Sequence, residues 1–259
     1  MNKMKVVLFC GGLGLRLRDY SETIPKPLVE VGPQPILWNV MRYYAHYGHN
    51  DFILCLGHGG EAIKRFFLAY NEAMANDFTL TKGGADIQLH NRDIEDWKIT
   101  FVDTGMNSNI GQRLQAVQKY LEDEEMFLAN YSDGLTDLPL DSYLQYAQNK
   151  DKVACFVSVS PATSFHVVQR RDDGLVTDIR PAADKTRINC GYFVLKREIF
   201  DYMEPGDELV VEPFRRLIDE EQLVTYEYDG FWECMDTFKD KRQLDDMYTR
   251  GEMPWAVWK

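Results

Sequence analysis

The sequence predicts an α/β fold, a mixed, mostly parallel sheet flanked by helices, in one domain over residues 1–259. Three observations lead there. Short apolar runs bounded by glycine or polar residues alternate with amphipathic stretches of helical spacing. A chain of 259 residues with 45% hydrophobic composition can bury a large core. No repeat, low-complexity segment or linker divides it.

Taken in order, Val6 to Cys10 is a buried strand that runs into Gly11-Gly12-Leu13-Gly14-Leu15-Arg16. Ile36 to Tyr47 carries apolar and aromatic residues at helical spacing and stops at Gly48. Asp51 to Gly57 is the next short apolar run and Glu61 to Tyr70 the next amphipathic helix. The opening is therefore βαβα, the pattern of a parallel sheet covered by helices. From about 71 to 98 the pattern loosens into short strands and loops around Phe78-Thr79-Leu80 and Ile87-Gln88-Leu89, an insertion. Lys98 to Val102 resumes the strands, Gly111 to Tyr120 is a helix, and Met126 to Tyr131 is a strand ending in Ser132-Asp133-Gly134. Asp141 to Asn149 is helical and Val153 to Val159 extended. Val167 to Arg171 and Val176 to Arg180 flank Asp172-Asp173-Gly174 as a hairpin. Asn189-Cys190-Gly191 leads into the strand Tyr192 to Leu195, and a short helix starts at Ile199. The helix Glu212 to Glu221, the strand Val224 to Tyr228 and a charged helix after Thr237 close a mixed C-terminal part.

The formal net charge of -12 excludes a general nucleic-acid or anionic-membrane binder, which needs an extended positive field. An anionic ligand must be met locally, by Arg16, Arg18 and Lys26 or by a divalent cation held by carboxylates. Cys10, Cys55, Cys155, Cys190 and Cys234 are odd in number, widely spaced and free of any C-x-x-C pair. That pattern suits buried thiols in a reducing compartment. The first apolar run is too short for a signal peptide and no stretch can span a bilayer, so a cytoplasmic protein is expected.

Chemistry concentrates near the start. Gly11, Gly12 and Gly14 let main chain approach an anion closely, and Arg16 can fork onto phosphate oxygens. Lys26 stands between Pro25 and Pro27, which fix the backbone that aims its ammonium. A dinucleotide fingerprint would need glycine where Leu17 stands, and a Walker loop would need Gly-Lys-Ser or Gly-Lys-Thr. Both are absent. Asp133 at a strand end and Asp236 before a helix are candidate magnesium ligands if the fold brings them together; singly, each also suits a turn or cap. Loop, cations and carboxylates suit nucleotidyl transfer, which needs charge neutralisation at phosphorus and no protein nucleophile.

The glycine loop with Pro25-Lys26-Pro27 resembles the signature of sugar-phosphate nucleotidylyltransferases, usually G-G-x-G-T-R followed by a P-K-P lysine. Pro35-Ile36-Leu37-Trp38, Trp97 to Gly105, Tyr131 to Gly134 and Phe231 to Thr237 are similar to the bacterial glucose-1-phosphate cytidylyltransferases, and the likeness runs through nearly the whole chain. The resemblance implies a Rossmann-like nucleotidyltransferase fold, CTP and a sugar 1-phosphate as substrates, Mg2+ as cofactor, a homo-oligomer, and a place in nucleotide-sugar and cell-surface polysaccharide synthesis. Arg16 and Lys26 would be catalytic. Gly11, Gly12, Leu13, Gly14, Lys26, Ser108, Arg113 and Ser132 would bind the nucleotide, and Asp133 and Asp236 the metal. Arg180, Asn189, Gly191 and His166 would face the acceptor, within an acceptor-side part of about 153–237.

Departures from the family pattern are local. Leu15 replaces a threonine, and Ser132 a glycine beside the metal aspartate. Ile179-Arg180-Pro181 stands for Glu-Lys-Pro, Ser164-Phe165-His166 for Arg-Phe-Gly, and Asn189-Cys190-Gly191 for Asn-Gly-Gly. The Cys190 side chain and the His166 imidazole are expected to intrude where small groups line the sugar site. Two alternatives therefore stand beside a sugar-1-phosphate cytidylyltransferase: a CTP-dependent enzyme with another phosphorylated acceptor, and a non-catalytic nucleotide-binding module.

Overall fold

The computed structural model describes residues 3–12, 24–161, 165–181 and 186–259. In chain order the elements are β1 (Lys5–Phe9), β2 (Glu30–Val31), β3 (Gln34–Pro35), α1 (Ile36–His46), β4 (Asp51–Leu56), α2 (Gly60–Leu68), α3 (Glu72–Ala75), β5 (Phe78–Thr81) and β6 (Asp86–Leu89). They continue with β7 (Lys98–Asp103), α4 (Ile110–Val117), β8 (Met126–Asn130), β9 (Gly134–Thr136), α5 (Leu140–Lys150), β10 (Ala154–Val159), β11 (His166–Arg170) and β12 (Val176–Pro181). The last are β13 (Ile188–Lys196), α6 (Glu212–Asp219), β14 (Leu223–Tyr228), β15 (Trp232–Cys234) and α7 (Phe238–Thr249).

A seven-stranded sheet in the order β14-β10-β13-β8-β1-β4-β7 forms the frame. β1 pairs in parallel with β4 and β8, β4 with β7, and β10 with β14; β13 is antiparallel to both its neighbours. The strands are apolar on both faces because both are covered. Val6, Leu8, Phe52, Leu54 and Leu128 point into one layer with α1 and α5, while Val7, Phe9, Ile53, Cys55, Phe127 and Ala129 point into the other with α4 and α6. The period of two along each strand thus builds two cores from one sequence.

The predicted α/β class, with its mostly parallel sheet, is the observed one. Beyond the short β2–β3 pair and the one-turn helix α3, which the element reading lacked, two features that bear on the site differ from it. β13 takes in Asn189-Cys190-Gly191 rather than starting after them, and Cys190 is buried in the α1 side of the core. The expected intrusion of its thiol into the sugar site is thereby corrected, since the side chain points to apolar neighbours instead. The second feature is a small antiparallel ladder between β9 and β15, Gly134 facing Cys234, which local pattern did not announce. β5 and β6 form a hairpin within the expected insertion, and β11 and β12 form the expected hairpin around Asp172 to Gly174.

Candidate active site

A pocket of about 490 Å³ opens beyond the carboxyl ends of β1 and β8, on the edge where an open parallel sheet presents ligand-binding loops. Cys10, Gly11 and Gly12 continue β1 into it, and Tyr131, Ser132 and Asp133 continue β8. Lys26 and Asp236 close one side, and Ser108, Asn109, Ile110 and Arg113 the other, with Glu208 also lining it.

Lys26 begins a single 3-10 turn, Lys26–Leu28, after an extended Pro25. Gly59, at φ +68°, leaves room for the Pro25 ring: an added Cβ would lie 2.6 Å from Pro25 Cβ. So seated, Lys26 Nζ donates to Asp133 Oδ2 at 2.6 Å and to Asp236 Oδ1 at 2.5 Å. Burial works against the ammonium, but contact with Asp133 and Asp236 outweighs it and holds the lysine pKa above its ordinary value. Burial in turn pushes the Asp133 carboxyl above the usual aspartate range, against the pull of Lys26. The ladder between β9 and β15, continued by the Met235 N–H donating to Asp133 O at 2.9 Å, is what carries the two distant aspartates to one point.

That convergence fits a magnesium ion, which favours one or two carboxylates completed by phosphate oxygens and water. Both carboxylates keep access to the pocket, with side-chain exposures of 25% and 36%. Among the described residues no group of three or more His, Cys, Asp or Glu side chains gathers to cage a metal alone, so phosphate oxygens and water would complete such a coordination sphere.

Arg113 forms the floor. It is 3% exposed and donates to Leu56 O (3.1 Å), Thr104 Oγ1 (2.7 Å), Gly105 O (2.9 Å) and Gly11 O (3.0 Å). One guanidinium thus ties the ends of β1, β4 and β7 into a single surface. Gly11 is required there because a Cβ would meet Arg113 Nη1 at 2.2 Å. Ser108 donates from Oγ to Thr104 O at 2.5 Å, and Ser132 from Oγ to Phe9 O at 2.8 Å. Ser132 holds φ +65°, a backbone region that explains a glycine at this position in the family pattern.

The acceptor-side candidates divide. Asn189 donates to the Tyr131 hydroxyl at 3.3 Å, and Gly191, at φ +81°, lies so close to that ring that a Cβ would fall 2.4 Å from Tyr131 Cδ2. Both therefore shape the tyrosine that lines the pocket. Arg180 and His166 lie on the β11–β12 hairpin, His166 exposed, Arg180 beside Asp178 at 3.7 Å, and neither lines the pocket. Leu13, Gly14, Leu15, Arg16 and Ser164 lie outside the described residues. Tyr131, which stood in a quoted motif without an assigned role, and Glu208, which stood in none, also line the pocket. Glu208 follows a Pro205-Gly206 turn, so in sequence it reads as an ordinary loop acid.

Sheet, glycine turn and paired aspartates define a nucleotidyl-transferring protein, and the chain belongs to the nucleotidyl transferase family, whose model matches residues 5–241. Within that class it is similar to cytidylyltransferases. It is 36% identical over 258 residues to the glucose-1-phosphate cytidylyltransferase of Salmonella typhimurium, covering 98% of this chain and 100% of that one. It is 35% identical, with the same coverage, to the enzyme of that name from Salmonella typhi. Among solved structures, the UDP-glucose pyrophosphorylase of Acinetobacter baumanii superposes with a TM-score of 0.71 at 16% identity, covering 99% of this chain and 97% of that one.

Proposed function

We propose that this protein transfers CMP from CTP to a sugar 1-phosphate, glucose 1-phosphate being the acceptor its relatives' names suggest, and releases a CDP-sugar and pyrophosphate. The observation that carries the reaction class is the convergence of Lys26, Asp133 and Asp236 beside the glycine turn. A phosphate oxygen of the acceptor attacks the α-phosphorus of CTP; as that bond forms, the bond from the α-phosphorus to the β-bridging oxygen breaks, and pyrophosphate leaves with the electron pair. Asp133 and Asp236 would hold Mg2+, which when bound supplies charge neutralisation at the triphosphate. Lys26 supplies a further positive charge to the transferring phosphoryl group. Gly11 and Gly12 leave the main chain open to the nucleotide, and the Arg113 floor fixes that turn. Arg16 is assigned to the triphosphate by its motif.

The buried Cys190 supports a sugar phosphate as acceptor, since its side chain packs in the core and does not line the pocket. The free cysteines support a reducing, cytoplasmic setting, and no helix among the described residues is long and apolar enough to cross a membrane. Exposed Phe78, Leu80 and Ile87 on the β5–β6 hairpin support a homo-oligomer, which analytical ultracentrifugation would detect. A role in supplying cell-surface polysaccharide follows from the product class.

The test is pyrophosphate release with Mg2+, each nucleoside triphosphate and a panel of phosphorylated acceptors. CTP with glucose 1-phosphate is expected to give the fastest release. Release with CTP but only another acceptor would shift the assignment to that substrate. Silence with every pairing would leave a non-catalytic nucleotide-binding module.

A further inference from the structure

The pocket holds one carboxylate that the transfer chemistry does not use. Glu208 lies on the wall formed by the start of α4, away from the Lys26, Asp133 and Asp236 cluster in sequence and in hydrogen bonding. Its placement is built from several contacts. The Ile110 N–H donates to Glu208 Oε2 at 3.2 Å, Asn109 Nδ2 donates to Gly206 O at 3.0 Å, and the Glu208 N–H donates to Glu212 Oε2 at 2.9 Å. Asp207 is paired with Arg216 at 2.5 Å. Gly111 permits the close approach, because a Cβ there would lie 2.2 Å from Asp207 O. A segment from the far end of the chain is thus locked onto the α4 terminus with its glutamate lining the pocket.

A carboxylate so placed repels phosphate and rewards a hydrogen-bond donor. Partial burial adds to this, raising the Glu208 carboxyl above the usual glutamate range and increasing the gain from a donor. The Arg113 guanidinium is already committed to backbone and Thr104, so it does not neutralise Glu208 across the pocket.

We propose that Glu208 is a specificity residue that accepts a hydrogen bond from a donor on the nucleoside part of the bound nucleotide, either the 4-amino group of cytosine or the ribose 2′-hydroxyl. The proposal rests on the cytidylyl-transfer reading for the identity of the nucleotide. Cytosine offers an amine where uracil offers a carbonyl that would face the carboxylate with like polarity. A carboxylate against that edge therefore selects CTP over UTP; against the ribose it selects CTP over 2′-deoxy-CTP.

Calorimetric titration of the full chain with CTP, UTP and 2′-deoxy-CTP in Mg2+ separates these. It needs no acceptor and no turnover, so it stands even if pyrophosphate assays overturn the transfer reading. Glu208→Gln keeps an oxygen for the Ile110 N–H and turns an amide N–H2 toward the ligand. The expected result is CTP binding weakened about 10-fold with the thermal midpoint retained. The loss of preference falls on UTP if the amine is the partner, or on 2′-deoxy-CTP if the ribose is. Glu208→Ala serves as a second variant if Gln unfolds the segment, with the same expected loss of preference. Equal weakening for all three nucleotides, unchanged binding in both variants, or no nucleotide binding by the wild-type chain would overturn the proposal.

Discussion

The pocket floor and the β11–β12 hairpin are built on opposite principles. Arg113 stitches the ends of β1, β4 and β7 together, and Gly11, Gly105 and Gly111 are places where a Cβ would strike a side chain or main chain. Every described residue of β11, by contrast, is exposed, and so is nearly all of β12; Val168 and Ile179 stand 51% and 64% open. A phosphorus centre requires cations fixed to a fraction of an ångström, whereas a strand pair with no buried face contributes little to the core. The contrast sets a tightly bonded pocket floor against an exposed strand pair that does not line the pocket.

The comparison can be broken most directly at Lys26. Lys26→Ala removes the positive charge between the two carboxylates and should reduce turnover by about 10²-fold or more in a pyrophosphate-release assay. A variant retaining wild-type rates would mean that the ammonium plays no part at phosphorus. Next is Gly11→Ala, whose methyl occupies the space of the Arg113 guanidinium; a loss of about 2 kcal/mol in urea unfolding is expected, with weaker CTP binding. Retention of both would show that the floor yields.

A third effect tests the opposite end of β1. His49 is buried, its Nδ1 accepts the Met4 N–H at 3.0 Å, and burial lowers its pKa below the ordinary histidine value of about 6.5. Above that pH the imidazole is neutral folded or unfolded. Below it the unfolded chain takes up a proton that the folded chain resists, so stability should fall as pH drops through the interval down to the lowered value. Urea midpoints at pH 7.5 and 5.5 measure this, and His49→Gln should flatten the difference. The smallest effect belongs to the hairpin: Val168→Thr or Ile179→Thr should change unfolding free energy by less than about 0.5 kcal/mol. A larger loss would show that the hairpin is packed in solution.

Strand and helix order was legible because period two and period 3.6 are local properties, and β1, α1, β4 and β8 show them without interruption. Asp133 was legible as a strand-end carboxylate, and Lys26 from its prolines. The meeting of Asp133 with Asp236 was legible only through the family resemblance and not from local pattern, since the β9–β15 ladder joins two three-residue strands too short to carry a period. Arg113 read as a nucleotide contact, yet its donors go to backbone carbonyls and Thr104, partners that depend on chain crossings rather than on neighbours in sequence. Glu208 was hidden for the same reason: its place follows from Gly111 admitting a distant segment.

The β9–β15 ladder also bears on how the protein is made. During synthesis the glycine turn, Lys26 and Asp133 leave the ribosome well before Trp232–Cys234, so a nascent chain has every described cationic and glycine part of the centre and only one of its two carboxylates. The long separation between the paired strands raises the chain-entropy cost of closing that ladder. A chain that stops short of β15 also lacks Asp236, and with it one of the two carboxylates gathered at Lys26.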